Sequence, residues 1–254
     1  LVSAIMVIAS QVNFIRNKNL GYNKDQIIYF SADGTLENNT ASFINELKAE
    51  SSIENVAEFD HDLLGGMGTT SGLKWDGKDP DTFVQFGNLK VGFDLVETFG
   101  FQISSGRSFS KDFGDNYSKI LLNEKAVEVM GLENPVGQTV ELWGTNREVI
   151  GVVKNFHFES LHEEIRPCFL QLDEGLHTVV VRLQPGQEYS SIEKIEQRYR
   201  EYKAGLPFNF KIFDQEYEAL YKSEIQISSL ARSFGIVAII VSCLGLLGLV
   251  VFTA

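Results

Sequence analysis

The sequence predicts an α+β fold: a split ferredoxin-like sandwich of two β-α-β units, interrupted by a mostly-β insert and flanked by transmembrane helices. Three observations lead there. A strand–helix–strand pattern near residue 25 returns near residue 177. The residues between are dominated by alternating, strand-like runs, and both ends of the chain are apolar.

The first unit opens with DQIIYF (Asp25 to Phe30), a short strand run. After the turn SADGTLENN comes TASFINELKAE, a helix with Thr40 as N-cap and Phe43, Ile44 and Leu47 on one face. NVAEF supplies its second strand. The second unit opens with HTVVVRL (His177 to Leu183), a β-branched run, and turns at PGQEYSS. Ser190 with Glu193 has the spacing of a capping box, Ile192, Ile195, Tyr199 and Tyr202 recur at helical spacing, and Gly205 suits a C-cap. FNFKIF closes the unit as a strand with Phe208, Phe210 and Ile212 on one face.

The insert starts at the alternating FVQFGNLKV and contains one helix. That helix lies in SKILLNEKAVEVMGLENPVGQTVEL, with Asn123 as its cap and Gly131 at its end. Val140, Leu142 and Val149 to Val153 read as a hairpin across WGTN. These patterns place the first half of the split sandwich at 25–83, the insert at 84–172 and the second half at 173–213.

From Phe213, apolar residues at Phe213, Tyr217, Leu220, Tyr221 and Ile225 follow one another without a breaker. They predict one long helix, a stalk at 214–233 running into a span at 234–254. The stretch FGIVAIIVSCLGLLGLVVFTA carries no charge over about 21 residues, enough to cross a bilayer. A continuous helix carries displacement better than a Gly/Ser linker would. At the other end, the apolar run Leu1 to Ala9 is shorter than a span and has no basic n-region. Residues 1–16 are read as the end of a transmembrane helix and its extension.

The formal net charge of −12 argues against a nucleic-acid partner, which needs a basic face. Cys168 and Cys243 lie in unlike environments and give no disulfide framework. Arg16, Lys18 and Lys24 would favour a cytoplasmic flank, but large domains translocate largely regardless of such charges, so charge leaves the side open.

The stretch GVVKNFHFESLHEEIRP (Gly151 to Pro167) is the densest in chemistry-bearing side chains. His157 and His162 are five residues apart across a strand-to-turn change. A helical zinc site places His at i and i+4 with Glu between them. Glu159, Glu163 and Glu164 read as solvated or paired with Lys154 and Arg166, and Phe156 and Phe158 as packing residues. LLGGMGTTSG (Leu63 to Gly72) lacks the Gly-Lys-Ser/Thr of a phosphate loop and the dinucleotide spacing; it reads as an exposed connector or partner-contact loop. His61, His157, His162 and His177 form no triad pattern, and no serine sits in a nucleophile elbow. No catalytic, cofactor-binding or metal-binding residue is assigned.

NKNLGYNKDQIIYF, ILLNEKAVEVMGLENPVGQTVEL and above all VIGVVKNFHFESLHEEIRP resemble the MacB/FtsX-like permease subunits of ABC transporters, in the variety abundant in Bacteroidota. The resemblance covers essentially the whole chain. It implies an extracytoplasmic core domain between two transmembrane helices, in the periplasm at the bacterial inner membrane. The split sandwich would then be a porter-like subdomain and the insert a Sabre-like one. The resemblance further implies mechanotransmission, in which a separate cytoplasmic ATPase drives movements of the external domain to export or extract peptide, lipoprotein or drug-like substrates. Its partners would be that ATPase, a second permease in a homo- or heterodimer, and a periplasmic adaptor or substrate protein. It carries over no catalytic residue. The rival reading is a ligand-sensing domain of a transmembrane receptor, and an anchored enzyme is disfavoured by the lack of a site.

Overall fold

The computed structural model describes residues 10, 18–32, 36, 39–60, 64, 67–79, 81–157, 161, 163–173, 176–203 and 205–253. The apolar segment 1–9 lies outside them, as do His61, Phe158, Glu159 and His162. The chain divides into two compact units, one formed by Leu20–Glu216 and the other by Leu1–Asn19 with Tyr217–Ala254.

In chain order the elements are β1 (Ile27–Ser31), α1 (Thr40–Lys48), β2 (Ile53–Phe59), β3 (Gly68–Thr70), β4 (Leu73–Lys74), β5 (Phe86–Val91) and α2 (Leu95–Phe99). Then come β6 (Ile103–Gly106), β7 (Lys119–Asn123), α3 (Glu124–Met130), β8 (Thr139–Leu142), β9 (Thr145–Val153) and β10 (Cys168–Leu172). The last are β11 (Thr178–Leu183), α4 (Glu188–Tyr202), β12 (Lys211–Ile212), α5 (Phe213–Leu220) and α6 (Lys222–Thr253).

The strands of the larger unit form one mixed sheet in the order β12-β1-β11-β2-β5-β10-β7-β9-β8-β4, with β3 on β5 and β6 on β9. Its first four strands are the split ferredoxin-like sheet, each antiparallel to its neighbour. Residues alternate between faces along a strand. Ile28, Phe30, Val56, Val179, Val181 and Leu183 therefore share one face, where they bury Phe43, Ile44 and Leu47 of α1 with Ile195 and Tyr199 of α4. The insert has its own core of Leu73, Phe86, Ile120, Leu122, Val140, Leu142, Val149 and Phe169 beneath Ala126 and Met130 of α3.

Several boundaries differ from the sequence expectation. The insert begins before residue 84, because β3 pairs with β5, β4 pairs with β8, and Leu73 lies in the insert's core. A Gly-rich stretch with few side chains to alternate hides both strands. The insert holds a second helix, α2, a single turn too short to show a period. Thr40 is the first residue of α1 rather than its cap, and its hydroxyl donates to the Leu36 carbonyl at 3.0 Å. Ser190 lies inside α4, donating to the Gln187 carbonyl at 3.1 Å, so the expected capping box is not formed, and Lys203 rather than Gly205 is the C-cap. Of FNFKIF only Lys211–Ile212 is strand, although Phe208 and Phe210 still pack on the first core.

The helix expected to run unbroken from residue 214 is interrupted at Tyr221, whose N–H donates to the Glu218 carbonyl at 3.1 Å. That i→i−3 bond tightens the last turn of α5 and ends it. Beyond it α6 is continuous over 32 residues and includes Ser233–Phe252, 20 residues long and apolar enough to cross a membrane.

Candidate functional site

The charged stretch at 151–167 is a joint. At its start β9 carries Gly151 against the Arg107 backbone, with no room there for a Cβ. Asn155 then locks onto the start of α3 in both directions: its amide oxygen accepts from the Lys125 N–H at 2.9 Å, and its own N–H donates to the Glu124 carboxylate at 3.1 Å. Asn123 does the same for the far end of the stretch. Its side-chain oxygen accepts from the N–H groups of Ala126 (2.8 Å) and Cys168 (2.9 Å), while its amide donates to the Arg166 carbonyl at 2.9 Å. One buried asparagine thus caps α3, as expected, and also fixes the start of β10. Glu163 lies 3.9 Å from Arg166 on the surface.

The same stretch holds the incoming chain. The His157 N–H donates to the Leu20 carbonyl at 2.8 Å. Gly21, at φ +84°, passes so close to Asn155 and Phe156 that a Cβ would collide with their backbone. Next to it Tyr22 enters an aromatic cluster. Its ring lies 5.8 Å from Phe99 of α2, 5.9 Å from Phe101 and 5.9 Å from Phe213, the first residue of α5. Phe99 and Phe213 are 5.2 Å apart, and Phe101 meets Phe156 at 4.8 Å. These mostly edge-on contacts are the geometry aromatic quadrupoles favour.

Arg182 completes the joint. It points from β11 to the face opposite α1 and α4 and is 4% exposed. Its guanidinium donates to the carbonyls of Thr98 (2.6 Å), Asp25 (2.9 Å) and Asn23 (2.8 Å). Burial pulls its pKa below the usual guanidinium value. The Asn23 N–H donates to the Phe99 carbonyl at 2.8 Å, tying the incoming segment to the insert a second time.

The sequence reading placed packing at Phe156 and a cap at Asn123, and the structure brings both into this joint. It missed Arg182. The available signal was a single charge inside the β-branched run HTVVVRL, at a position that alternation assigns to a covered face. Among the described residues no group of three or more His, Cys, Asp or Glu side chains could hold a metal ion. The end of the Gly-rich stretch forms β3 and the turn to β4.

Fold and joint together define a class: an α+β core domain, split by an insert, whose two chain ends leave through one locked site. The comparisons with known proteins agree. A family model described as the MacB-like periplasmic core domain matches residues 2–198. The chain belongs to that family, the extracytoplasmic domains of MacB/FtsX-like ABC transporter permeases. Among solved structures, the periplasmic region of MacB from Actinobacillus actinomycetemcomitans aligns with TM-score 0.53 at 17% identity, covering 81% of this chain and 97% of that one. The extracellular domain of the noncanonic ABC-type transporter YknZ from Gram-positive bacteria aligns with TM-score 0.50 at 16% identity, covering 73% and 98%. At such identities these two likenesses speak for the fold. No curated protein sequence matches.

Proposed function

We propose that this chain serves a permease subunit of an ABC transporter in the bacterial inner membrane, as the periplasmic domain that couples ATP hydrolysis by a separate cytoplasmic ATPase to extracytoplasmic work. The work is export or extraction of a peptide, lipoprotein or drug-like substrate, by mechanotransmission, in a homo- or heterodimer of permeases. One observation carries the reading. The incoming segment Leu20–Asp25 and the first residue of α5 are both locked to α2 of the insert, through the aromatic cluster and Arg182. A displacement applied at either chain end therefore reaches the insert directly, without first bending the sheet. The family assignment and the apolar stretch of α6 support the same reading.

The test interrupts the helix. Inserting Gly-Gly-Ser-Gly at Ser223, within α6, places flexible residues between the joint and the span. Each interior Gly costs a helix only ~1 kcal/mol relative to Ala, so loss of function would reflect lost stiffness and register. The expected variant accumulates at wild-type level and its partner still hydrolyses ATP, but substrate handling is lost. Full transport by that variant would refute mechanotransmission and favour a passive tether.

A further inference from the structure

The insert meets the split sandwich between β2 and β5, and the sheet is weakest along that line. Among the described residues Phe59 opposite Val91 is the single registered pair there, whereas β2 and β11 pair from Ile53 to Phe59. The Gly92 N–H donates to the Glu58 carbonyl at 2.8 Å, and the Asp60 N–H to the Lys90 carbonyl at 3.0 Å. Glu58 follows Val56 on the face that carries α1, since alternate residues share a face. A Cβ at Gly92 would stand 3.2 Å from that of Glu58, so the insert backbone lies directly on this glutamate. Beside the seam is a cleft of about 70 Å³, lined by Ile44, Asn45 and Lys48 of α1, by Glu58, and by Phe93 and Lys111 of the insert. It has room for several water molecules.

A carboxyl in that position is pulled two ways. Lys48 bonds Asp94 at the head of α2, and Lys111, in the turn Lys111–Phe113, lies 5.3 Å from the centre of the Phe93 ring. On the same face Lys90 pairs with Asp173 at 2.8 Å and also attracts Asp60. Each of these cations is therefore shared with another group. Burial drives the Glu58 carboxyl above the usual range, and the pull of Lys111 and Lys48 offsets only part of that. Ionised, the carboxylate gains by meeting water, which it does when α1 parts from Phe93 and Lys111; neutral, it packs without that cost. We propose that the cleft is a proton-operated seam, closed when the Glu58 carboxyl is neutral and loosened when it is ionised, while the joint on the opposite face stays locked. The closed seam is favoured in full below the ordinary glutamate value of about 4.3, and that preference is lost as pH rises through the higher value of the closed form. The proton thus sets how firmly the insert is seated on the sandwich, whatever drives the domain.

Hydrogen exchange of the full-length protein in lipid nanodiscs reads the seam at the Gly92 amide, which crosses it, with the Asn23 amide of the joint as control. Each rate is divided by the intrinsic rate at that pH. In the wild type, Gly92 protection should rise at least about threefold from about pH 7.5 to about pH 5, within the roughly tenfold per pH unit that one proton allows. Glu58→Gln carries the neutral form throughout, so its Gly92 protection should start at the higher level and stay there. Lys111→Met removes a counter-charge and should lower Gly92 protection below wild type at neutral pH, a reading that stands even if Glu58→Gln does not accumulate. Flat Gly92 protection in the wild type, a wild type equal to Glu58→Gln at neutral pH, no loss in Lys111→Met, or the same rise at Asn23 would overturn the proposal.

Discussion

Replacing Arg182 with methionine strikes the joint at the point where three segments meet. The guanidinium makes three hydrogen bonds, and those from a charged group contribute roughly 1.5–3 kcal/mol each before non-additivity. Two of the acceptors, on Asn23 and Asp25, belong to exposed residues whose carbonyls can turn to water. Thr98 is fully buried and its carbonyl would be orphaned, at about 1–3 kcal/mol. Relief of burying the charge offsets part of the loss. The expected net destabilisation is about 3 kcal/mol, which at a urea dependence of ~1–3 kcal/mol/M lowers the midpoint by on the order of 1 M or more. Arg182→Lys should fall between, since an ammonium keeps the charge but loses the planar fork. The assay is urea unfolding of the fragment Leu20–Glu216, with hydrogen exchange read at two amides. Those of Asn23 and His157, which bond across the joint, should exchange faster in Arg182→Met, while amides between β2 and β11 keep their relative protection. A midpoint within about 0.3 M of wild type, with both amides unchanged, would refute the assignment of Arg182 as the tie.

Gly21→Ala should destabilise the fragment by more than about 1 kcal/mol, because φ is +84° and the new Cβ meets the Asn155 and Phe156 backbone; a urea midpoint equal to wild type would count against that close approach. Asp115 is buried and bonded to Arg107 (Nη2 to Oδ1, 2.8 Å) and to the Ser110 N–H (2.9 Å), and the arginine holds its carboxyl below the usual range. A depressed folded pKa stabilises above the unfolded value of about 3.9 and ceases to do so as pH falls through the folded value. Asp115→Asn should therefore be less stable than wild type by a constant amount between about pH 5 and 8, with the gap closing below about pH 4; a gap independent of pH would show that the pair contributes no such linkage.

The split sandwich was legible because each of its pieces carries a period. HTVVVRL alternates under β-branched stiffness, and Ile195 with Tyr199 repeats at helical spacing, so strands and helices announce themselves. Asn123 was legible as a cap because its chemistry is local, its oxygen reaching an N–H three residues on. Its second role was hidden, since the Arg166 carbonyl and the Cys168 N–H lie more than forty residues away in sequence. The joint as a whole escaped for the same reason. Its contacts run from side chains to backbone carbonyls and between ring edges of distant segments, and neither has a spacing rule. Arg182 drew no reading of its own within HTVVVRL, since its three acceptors are backbone carbonyls of distant segments. Helix starts at Thr40 and Ser190 were misplaced because a serine or threonine hydroxyl can serve as a cap or bond back to a carbonyl inside the first turn.

The place of the insert explains why such a joint exists. Phe59 of β2 lies opposite Thr178 of β11, so the insert leaves and rejoins the sheet where a plain ferredoxin-like fold would make a hairpin turn. A module attached only there could swing on two strand ends. The sheet, however, has two faces, and α1 and α4 cover only one. Ile27, Ala57 and Val180 alternate onto the other and are fully or almost fully buried. Their cover includes α2 of the insert, whose Phe99 meets Tyr22 and Phe213. Swinging the insert away would uncover the interlocked rings of Phe99, Tyr22 and Phe213 together. At roughly 1.5–3 kcal/mol for each large apolar side chain, that approaches the ~5–15 kcal/mol that holds a whole domain folded. An imposed displacement is therefore passed on by Leu20–Glu216 rather than absorbed within it, which is the mechanical property that the proposed function requires.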